Sequence, residues 1–317
     1  MPRVAAIDCG TNSIRLLIAD VTVHDDGTRA LDDVHREMRI VRLGQGVDAT
    51  GRLADEALSR TREALVDYAA VVRRENVVTT RMVATSATRD AANREDFFSM
   101  VRETLGVEAE IITGEEEARL SFVGAVGDVD PAQGPFLVTD VGGGSTELVL
   151  GNWDGVHAEI TASQSVDIGS VRITERCLHT DPSTPDEMTE AEKVARRVLD
   201  EAFAVIDASS IRTWIGVAGT ITTLSALAQE LPTYEPAAIH LSHLSREGLD
   251  RTAHRLLEMT HEERAALGPM HPGRVDVIGG GALVAKVIAD ELTERAGIDV
   301  LTVSEHDILD GIALSIS

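Results

Sequence analysis

Two stretches of this chain share one layout: an apolar run that ends at an aspartate, a short turn rich in glycine and hydroxyl side chains, and a second apolar run. The first is VAAIDCGTNSIRLLIADV, residues 4–21, with Asp8; the second is FLVTDVGGGSTELVLG, residues 136–151, with Asp140 lying 132 positions on. A glycine turn that leads from a strand into a helix would fit a P-loop or a dinucleotide fingerprint, and Gly-Lys-Ser/Thr would mark the former. Here Val- and Leu-rich runs stand on both sides and no such lysine occurs, so each stretch reads as strand, turn, strand. Glycine has no Cβ to block close approach, so consecutive N–H groups can point into one anion-binding nest. Two such hairpins, one domain apart, imply a duplicated architecture with a phosphate-bearing ligand between its halves. The plainer reading of Asp8 or Asp140 is an Asx-turn that stabilises its hairpin.

The 317 residues suit two domains, and 43% hydrophobic content supplies two cores. GDVDPAQGP, residues 127–135, is dense in Gly, Pro and Asp and is the expected crossing, giving domains 1–126 and 127–317. The C-terminal helix, about 305–317, can pack back on the first domain. Residues 1–43 read as a three-strand meander, and 55–74 as an amphipathic helix with Leu58, Thr61, Leu65, Tyr68, Ala69 and Val72 at helical spacing. Residues 88–106 read as one helix with Gly106 just past its end. The second half repeats the plan, with helices near 169–179, 186–208, 246–258 and 283–296. Strands alternating with helices argue for an α/β fold.

Net charge is −24, from 29 basic and 53 acidic residues, so no basic surface advertises nucleic acid or anionic membrane. A polyanionic ligand then needs local arginines and a cation, because exposed charges are screened beyond about 8 Å at physiological salt. All basic residues but Lys193 and Lys286 are arginines, whose planar fork suits phosphate. No apolar run reaches the length of a membrane span, and MPRVAAIDCG reads as a first strand rather than a signal peptide, so the expected location is cytoplasmic. Cys9 and Cys177 are too few for a disulfide framework, and the ten histidines form no metal pattern; His240 and His243 read as structural or surface.

Several residue groups carry chemistry. TGEEEAR, residues 113–119, begins a helix, where carboxylates suit the macrodipole. Thr113-x-x-Glu116 fits a capping box, which occupies Glu116 and leaves Glu117 free to orient and deprotonate a water. Asp8, Asp140 and Glu147 form a set suited to Mg²⁺, which takes one or two carboxylates plus waters and phosphate oxygens. ATSATRDAANRED, residues 84–96, ends a strand and opens a helix, an anion-binding junction where Arg89 is a phosphate clamp and Arg94 a weaker one. GVAGTITTL (216–224), with Gly219 and Thr220, and GRVDVIGGGALV (273–284) are further glycine sites, read either as phosphate contacts or as close helix packing.

Taken in order, IDCGTNSIRLLIAD, ATSATRDAANREDF, IITGEEEARLSFVGAV, TDVGGGSTELVLG, GVAGTITTL and GRVDVIGGGALV resemble the exopolyphosphatase/guanosine pentaphosphate phosphohydrolase (Ppx/GppA) family over nearly the whole chain. The resemblance implies two ribonuclease-H-like domains of the actin/Hsp70/sugar-kinase superfamily flanking a cleft, in the short two-domain form. It implies Mg²⁺, with K⁺ as a further cation, and often a homodimer. Glu117 matches the family's catalytic glutamate; Asp8, Asp140 and Glu147 match its metal-associated carboxylates. Arg89 and the turns Thr11, Asn12, Ser13 and Gly142, Gly143, Gly144, Ser145, Thr146 match its phosphate contacts. The expected activity is hydrolysis of the terminal phosphoanhydride of inorganic polyphosphate, with guanosine pentaphosphate as alternative substrate. A kinase of the superfamily and a non-catalytic polyphosphate or alarmone binder are the remoter readings.

Overall fold

The computed structural model describes residues 2–25 and 27–316. Its chain divides into two compact units. The first runs to Gly127 and takes in Asp154–His157 and the chain from Asp307 on; the second holds Asp128–Trp153 and Ala158–His306.

The first unit is built on a five-stranded sheet of β1 (Arg3–Cys9), β2 (Ser13–Val23), β3 (Arg29–Ile40), β4 (Thr79–Ala84) and β5 (Ala109–Ile111), in the order β3-β2-β1-β4-β5. The first three strands form the expected antiparallel meander, while β4 and β5 continue parallel to β1. The apolar runs of β1 and β2 are near-continuous because both faces of the sheet are covered. Ala5, Ile7, Cys9, Ile14, Leu16 and Ile18 enter one core, under the helices Asp55–Arg74 and Arg94–Leu105. The alternate residues Val4, Ala6, Leu17, Ala19 and Val21 enter the other.

That second core lies under the helices Gly114–Ala125 and Ile308–Ile316, which cross with almost no separation. A Cβ on Gly124 would sit 1.8 Å from the Asp307 carbonyl oxygen, and one on Gly311 would sit 2.0 Å from that of Leu120. Arg15 and Arg36 pin this terminal helix through Asp307 and Asp310.

One correction falls here. The expected single helix over 88–106 is two: Ser86–Asp90, then Arg94–Leu105, with Gly106 at φ 78° just past the end. The chain turns extended at Ala91, and Asn93 then clamps the Leu53 backbone from both sides of its amide, at 2.8 and 3.1 Å.

The second unit repeats the plan. Its sheet holds β6 (Phe136–Val141), β7 (Thr146–Trp153), β8 (Ala158–Val166), β9 (Thr213–Val217), β10 (His243–Ser245) and β11 (Val300–Val303), ordered β10-β11-β9-β6-β7-β8. Strands β6, β7, β8, β9 and β11 take the places of β1 to β5 with the same directions, and β10 adds an antiparallel edge. Both sheets are thus mixed and helix-covered, as the ribonuclease-H-like reading of the α/β class requires.

The last long helix begins at Ile278, earlier than the expected 283, and takes Gly279, Gly280 and Gly281 into its first turns. Helix packing explains these glycines. A Cβ on Gly280 would sit 2.4 Å from Thr174 Oγ1, and one on Gly281 2.7 Å from Thr220 Cγ2.

Candidate active site

In an open α/β sheet, ligands collect beyond the carboxyl ends of the strands. In the first unit those ends belong to β1, β4 and β5. Register places Asp8 beside Val83 and Ala84 beside Ile111. The segments that follow therefore carry Thr11–Ser13, Arg89 and Glu117 to one edge of the sheet.

The turn after Asp8 closes with the Gly10 N–H donating to the Ser13 carbonyl at 3.0 Å. The Asn12 carbonyl accepts from Val41 and Arg42, and that of Thr11 from Gly44, at 2.8 to 3.0 Å. The Thr11, Asn12 and Ser13 carbonyls are thus bound by the protein, whereas among the described residues the Thr11 and Asn12 N–H groups donate to no protein acceptor. The Thr11 hydroxyl is held by Ser86 at 2.9 Å.

The turn after Asp140 is built the same way, with the Gly142 N–H donating to the Ser145 carbonyl at 3.1 Å. The Gly142 and Gly143 carbonyls accept from the N-terminal amides of the helix Ser170–Cys177, and Arg172 Nε donates to that of Gly144 at 2.8 Å. Gly169 must be glycine for this approach, since a Cβ there would stand 2.6 Å from Gly143. Again the amides are left over: Gly143, Gly144 and Ser145 have no described acceptor. Three consecutive amides turned away from protein carbonyls make an anion nest. Thr146 spends its hydroxyl on the Ile168 carbonyl, 2.7 Å away.

The carboxylates differ between the hairpins. Asp8 stands opposite Arg15, which donates to its Oδ2 from Nε at 3.1 Å and Nη2 at 2.7 Å and also binds Asp307. Burial pushes the Asp8 carboxyl up from the ordinary aspartate value, Arg15 pulls it down, and Asp307 adds to the rise. Asp8 Oδ1 is buried with no partner, one of two such side-chain atoms among the described residues, the other being Thr88 Oγ1. In the second hairpin the residue opposite Asp140 is another carboxylate, Glu147, whose Oε1 accepts from Ser165 at 2.8 Å. Both are buried.

Glu117 is buried near the start of its helix, and Arg89 Nη1 reaches it at 3.2 Å while also donating to the Ile112 carbonyl at 2.8 Å. The sequence reading of a full capping box needs correction. Thr113 does accept from the Glu116 N–H, but the Glu116 side chain pairs bidentately with Arg119 instead of reaching back. Glu116 is turned to the surface, whereas Glu117 is buried and held by Arg89. Arg94 is exposed at its helix start.

Gly219 and Thr220 follow β9, whose Val217 lies beside Asp140. Ala218 between them holds φ at 67°, a left-handed conformation that costs a non-glycine residue. Arg274 lies on Gly219 so closely that a Cβ there would meet its Nη2 at 2.0 Å, and it donates to Thr223 at 3.2 Å. Sequence reasoning passed over Arg15, Asp307, Ala218 and Arg274. Only Arg15 had a readable signal: with the turn fixed at 10–12, counting back along both strands sets it against Asp8.

Within each unit the residues fit Mg²⁺: in the second, the buried carboxylates Asp140 and Glu147 stand opposite each other, and in the first, Asp8 keeps a buried oxygen without a partner. Cys9 fits no nucleophilic role, because burial drives its thiol far above the ordinary range.

The model of the Ppx/GppA phosphatase family matches residues 20–316. The Mycobacterium tuberculosis protein named exopolyphosphatase 2 is 58% identical over 322 residues, which span 100% of this chain and 99% of that protein. A solved exopolyphosphatase-like protein has a TM-score of 0.93 at 45% identity, covering 99% of this chain and 98% of its own. The crystallised Aquifex aeolicus member of the Ppx/GppA family has a TM-score of 0.79 at 31% identity, covering 99% of this chain and 97% of its own.

Proposed function

The chain belongs to the Ppx/GppA phosphatase family, and from that premise we propose that it is an exopolyphosphatase, hydrolysing the terminal phosphoanhydride of inorganic polyphosphate to release orthophosphate. The observation that carries the reading is the pair of matched turns, each with carbonyls bound by the protein and consecutive amides left without a protein acceptor among the described residues. The full-length likeness to a protein named exopolyphosphatase supports the substrate class.

In this reading the turns Thr11–Ser13 and Gly142–Thr146 bind phosphate oxygens through the amides of Thr11, Asn12, Gly143, Gly144 and Ser145, with Gly219 and Thr220 beside them. Arg89 adds a charge-assisted contact and holds the Glu117 carboxylate. Glu117 takes a proton from a water as its oxygen attacks the terminal phosphorus; the P–O bond to the chain breaks, and the shortened chain leaves with its oxyanion. Asp8, Asp140 and Glu147 would hold Mg²⁺, which supplies charge neutralisation on the phosphate oxygens when bound. Phosphoryl transfer is mostly positioning and electrostatics, so the turns and carboxylates carry more of the rate than the base does.

A homodimer completes the reading, on the strength of the family resemblance. No helix among the described residues is long and apolar enough to cross a membrane. Initial rates on short-chain polyphosphate and on guanosine pentaphosphate, measured side by side, test the substrate. A faster nucleotide rate would replace exopolyphosphatase by pentaphosphate phosphohydrolase.

A further inference from the structure

The second unit holds a cluster of ligating side chains that hydrolysis does not use. Asp128 begins the unit, His240 follows the short helix Pro236–Ile239, and His306 is the last residue before the chain returns to the first unit. His306 Nδ1 lies 2.6 Å from Asp128 Oδ2, and His240 Nε2 lies 3.4 Å from the same oxygen. The two rings are 4.7 Å apart between centroids and tilted by 43° to each other. One ligand atom from each residue lies within 4.8 Å of the other two, and no other group of three His, Cys, Asp or Glu among the described residues gathers so.

We propose that Asp128, His240 and His306 form a binding site for a divalent transition ion of the Zn²⁺ class. Imidazole nitrogens select such an ion over Mg²⁺, which takes oxygen ligands. Ligand atoms at about 2.0–2.2 Å from a tetrahedral ion stand roughly 3.3–3.6 Å apart. The His240–Asp128 spacing already meets this, and the His306–Asp128 hydrogen bond must open by under about 1 Å as its proton leaves. The side chains keep 46% (Asp128), 25% (His240) and 39% (His306) of their exposure, so water can complete the coordination.

The framework is held from behind. Ser304 Oγ accepts from the His306 N–H at 3.1 Å and donates to its carbonyl at 2.9 Å, while the His240 N–H donates to Pro236 at 2.8 Å. Hydrogen bonds from His240 and then His306 hold the Asp128 carboxyl well below the usual range, so it is ionised at neutral pH. The Glu305 N–H faces His240 Nδ1 across 3.3 Å. Metal binding at Nε2 moves the ring proton to Nδ1 and gives up this long contact.

The test is a Co²⁺ titration of the metal-stripped full chain without substrate, read by visible ligand-field absorption. Because no hydrolysis is measured, failure of the exopolyphosphatase reading leaves the result intact. The expected result is saturation at about one ion per chain, displacement by Zn²⁺, and none by millimolar Mg²⁺. His306→Ala and His240→Ala should each weaken binding by at least about tenfold, and His261→Ala should leave it unchanged. In the wild type, Co²⁺ should shift two imidazole spin systems in ¹⁵N-correlated spectra, which reads the site without any variant. No saturable binding, or equal binding by the His240→Ala/His306→Ala variant, would overturn the proposal and leave a hydrogen-bonded triad.

Discussion

Asp140 and Glu147 are cross-strand partners on β6 and β7, so two buried carboxylates face each other where the first hairpin pairs Asp8 with Arg15. Like charges directly opposite on a sheet destabilise it. A bound divalent cation reverses that sign. In EDTA, Asp140→Asn should therefore unfold at a higher temperature than the wild type, by about 1 kcal/mol in stability. The same substitution should raise the Mg²⁺ concentration needed for half-maximal phosphate release. A variant less stable in EDTA, with an unchanged Mg²⁺ requirement, would contradict the pairing argument.

Arg89 bridges Glu117 and the Ile112 carbonyl from one nitrogen. Hydrogen bonds to charged groups contribute about 1.5–3 kcal/mol. Arg89→Ala should then lower kcat/KM for polyphosphate by roughly 10–100-fold, with part of the loss in KM. An unchanged KM would assign Arg89 to positioning Glu117 alone.

The crossing of the helices Gly114–Ala125 and Ile308–Ile316 leaves no room for a methyl group at Gly124. The neighbour is backbone and cannot rotate aside. Gly124→Ala should cost at least about 2 kcal/mol, and limited proteolysis should then cut near the C-terminal helix first. Wild-type stability in thermal melts would show that the crossing relaxes freely.

The helix Pro185–Phe203 begins with a full capping box between Thr184 and Glu187. Hydrogen bonds from Thr180, then Thr184 and His179, bring the Glu187 pKa down from the ordinary glutamate value to about 2. A depressed carboxylate stabilises the fold above its unfolded value, and that contribution is lost as pH falls through roughly 4.5 toward 2. Thr184→Ala should cost about 1 kcal/mol at neutral pH. Glu187→Gln should flatten the acid limb of the stability curve over this interval, as read by denaturant melts at stepped pH.

Much of this was legible in the sequence because it is local. Period-two burial explains the long apolar runs of β1 and β2, and Asp-turn-Ser marked both hairpins before any contact was known. The Thr113 cap was half readable: its hydroxyl is a local signal, whereas the choice of Glu116 between backbone and Arg119 depends on a side chain one turn away. The break at residues 91–93 was hidden because the partner of Asn93 is the distant Leu53 backbone. Asp128, His240 and His306 meet only through tertiary folding, and no spacing announces three ligands from three segments.

The most direct test of the central claim is phosphate release from short-chain polyphosphate, in Mg²⁺ and in EDTA, by the wild type beside Glu117→Gln. General-base catalysis contributes about 10²–10⁴-fold, so the variant should lose turnover in that range while binding phosphate as before. EDTA should abolish the wild-type rate. Near-normal turnover by Glu117→Gln, or release that ignores EDTA, would contradict the account.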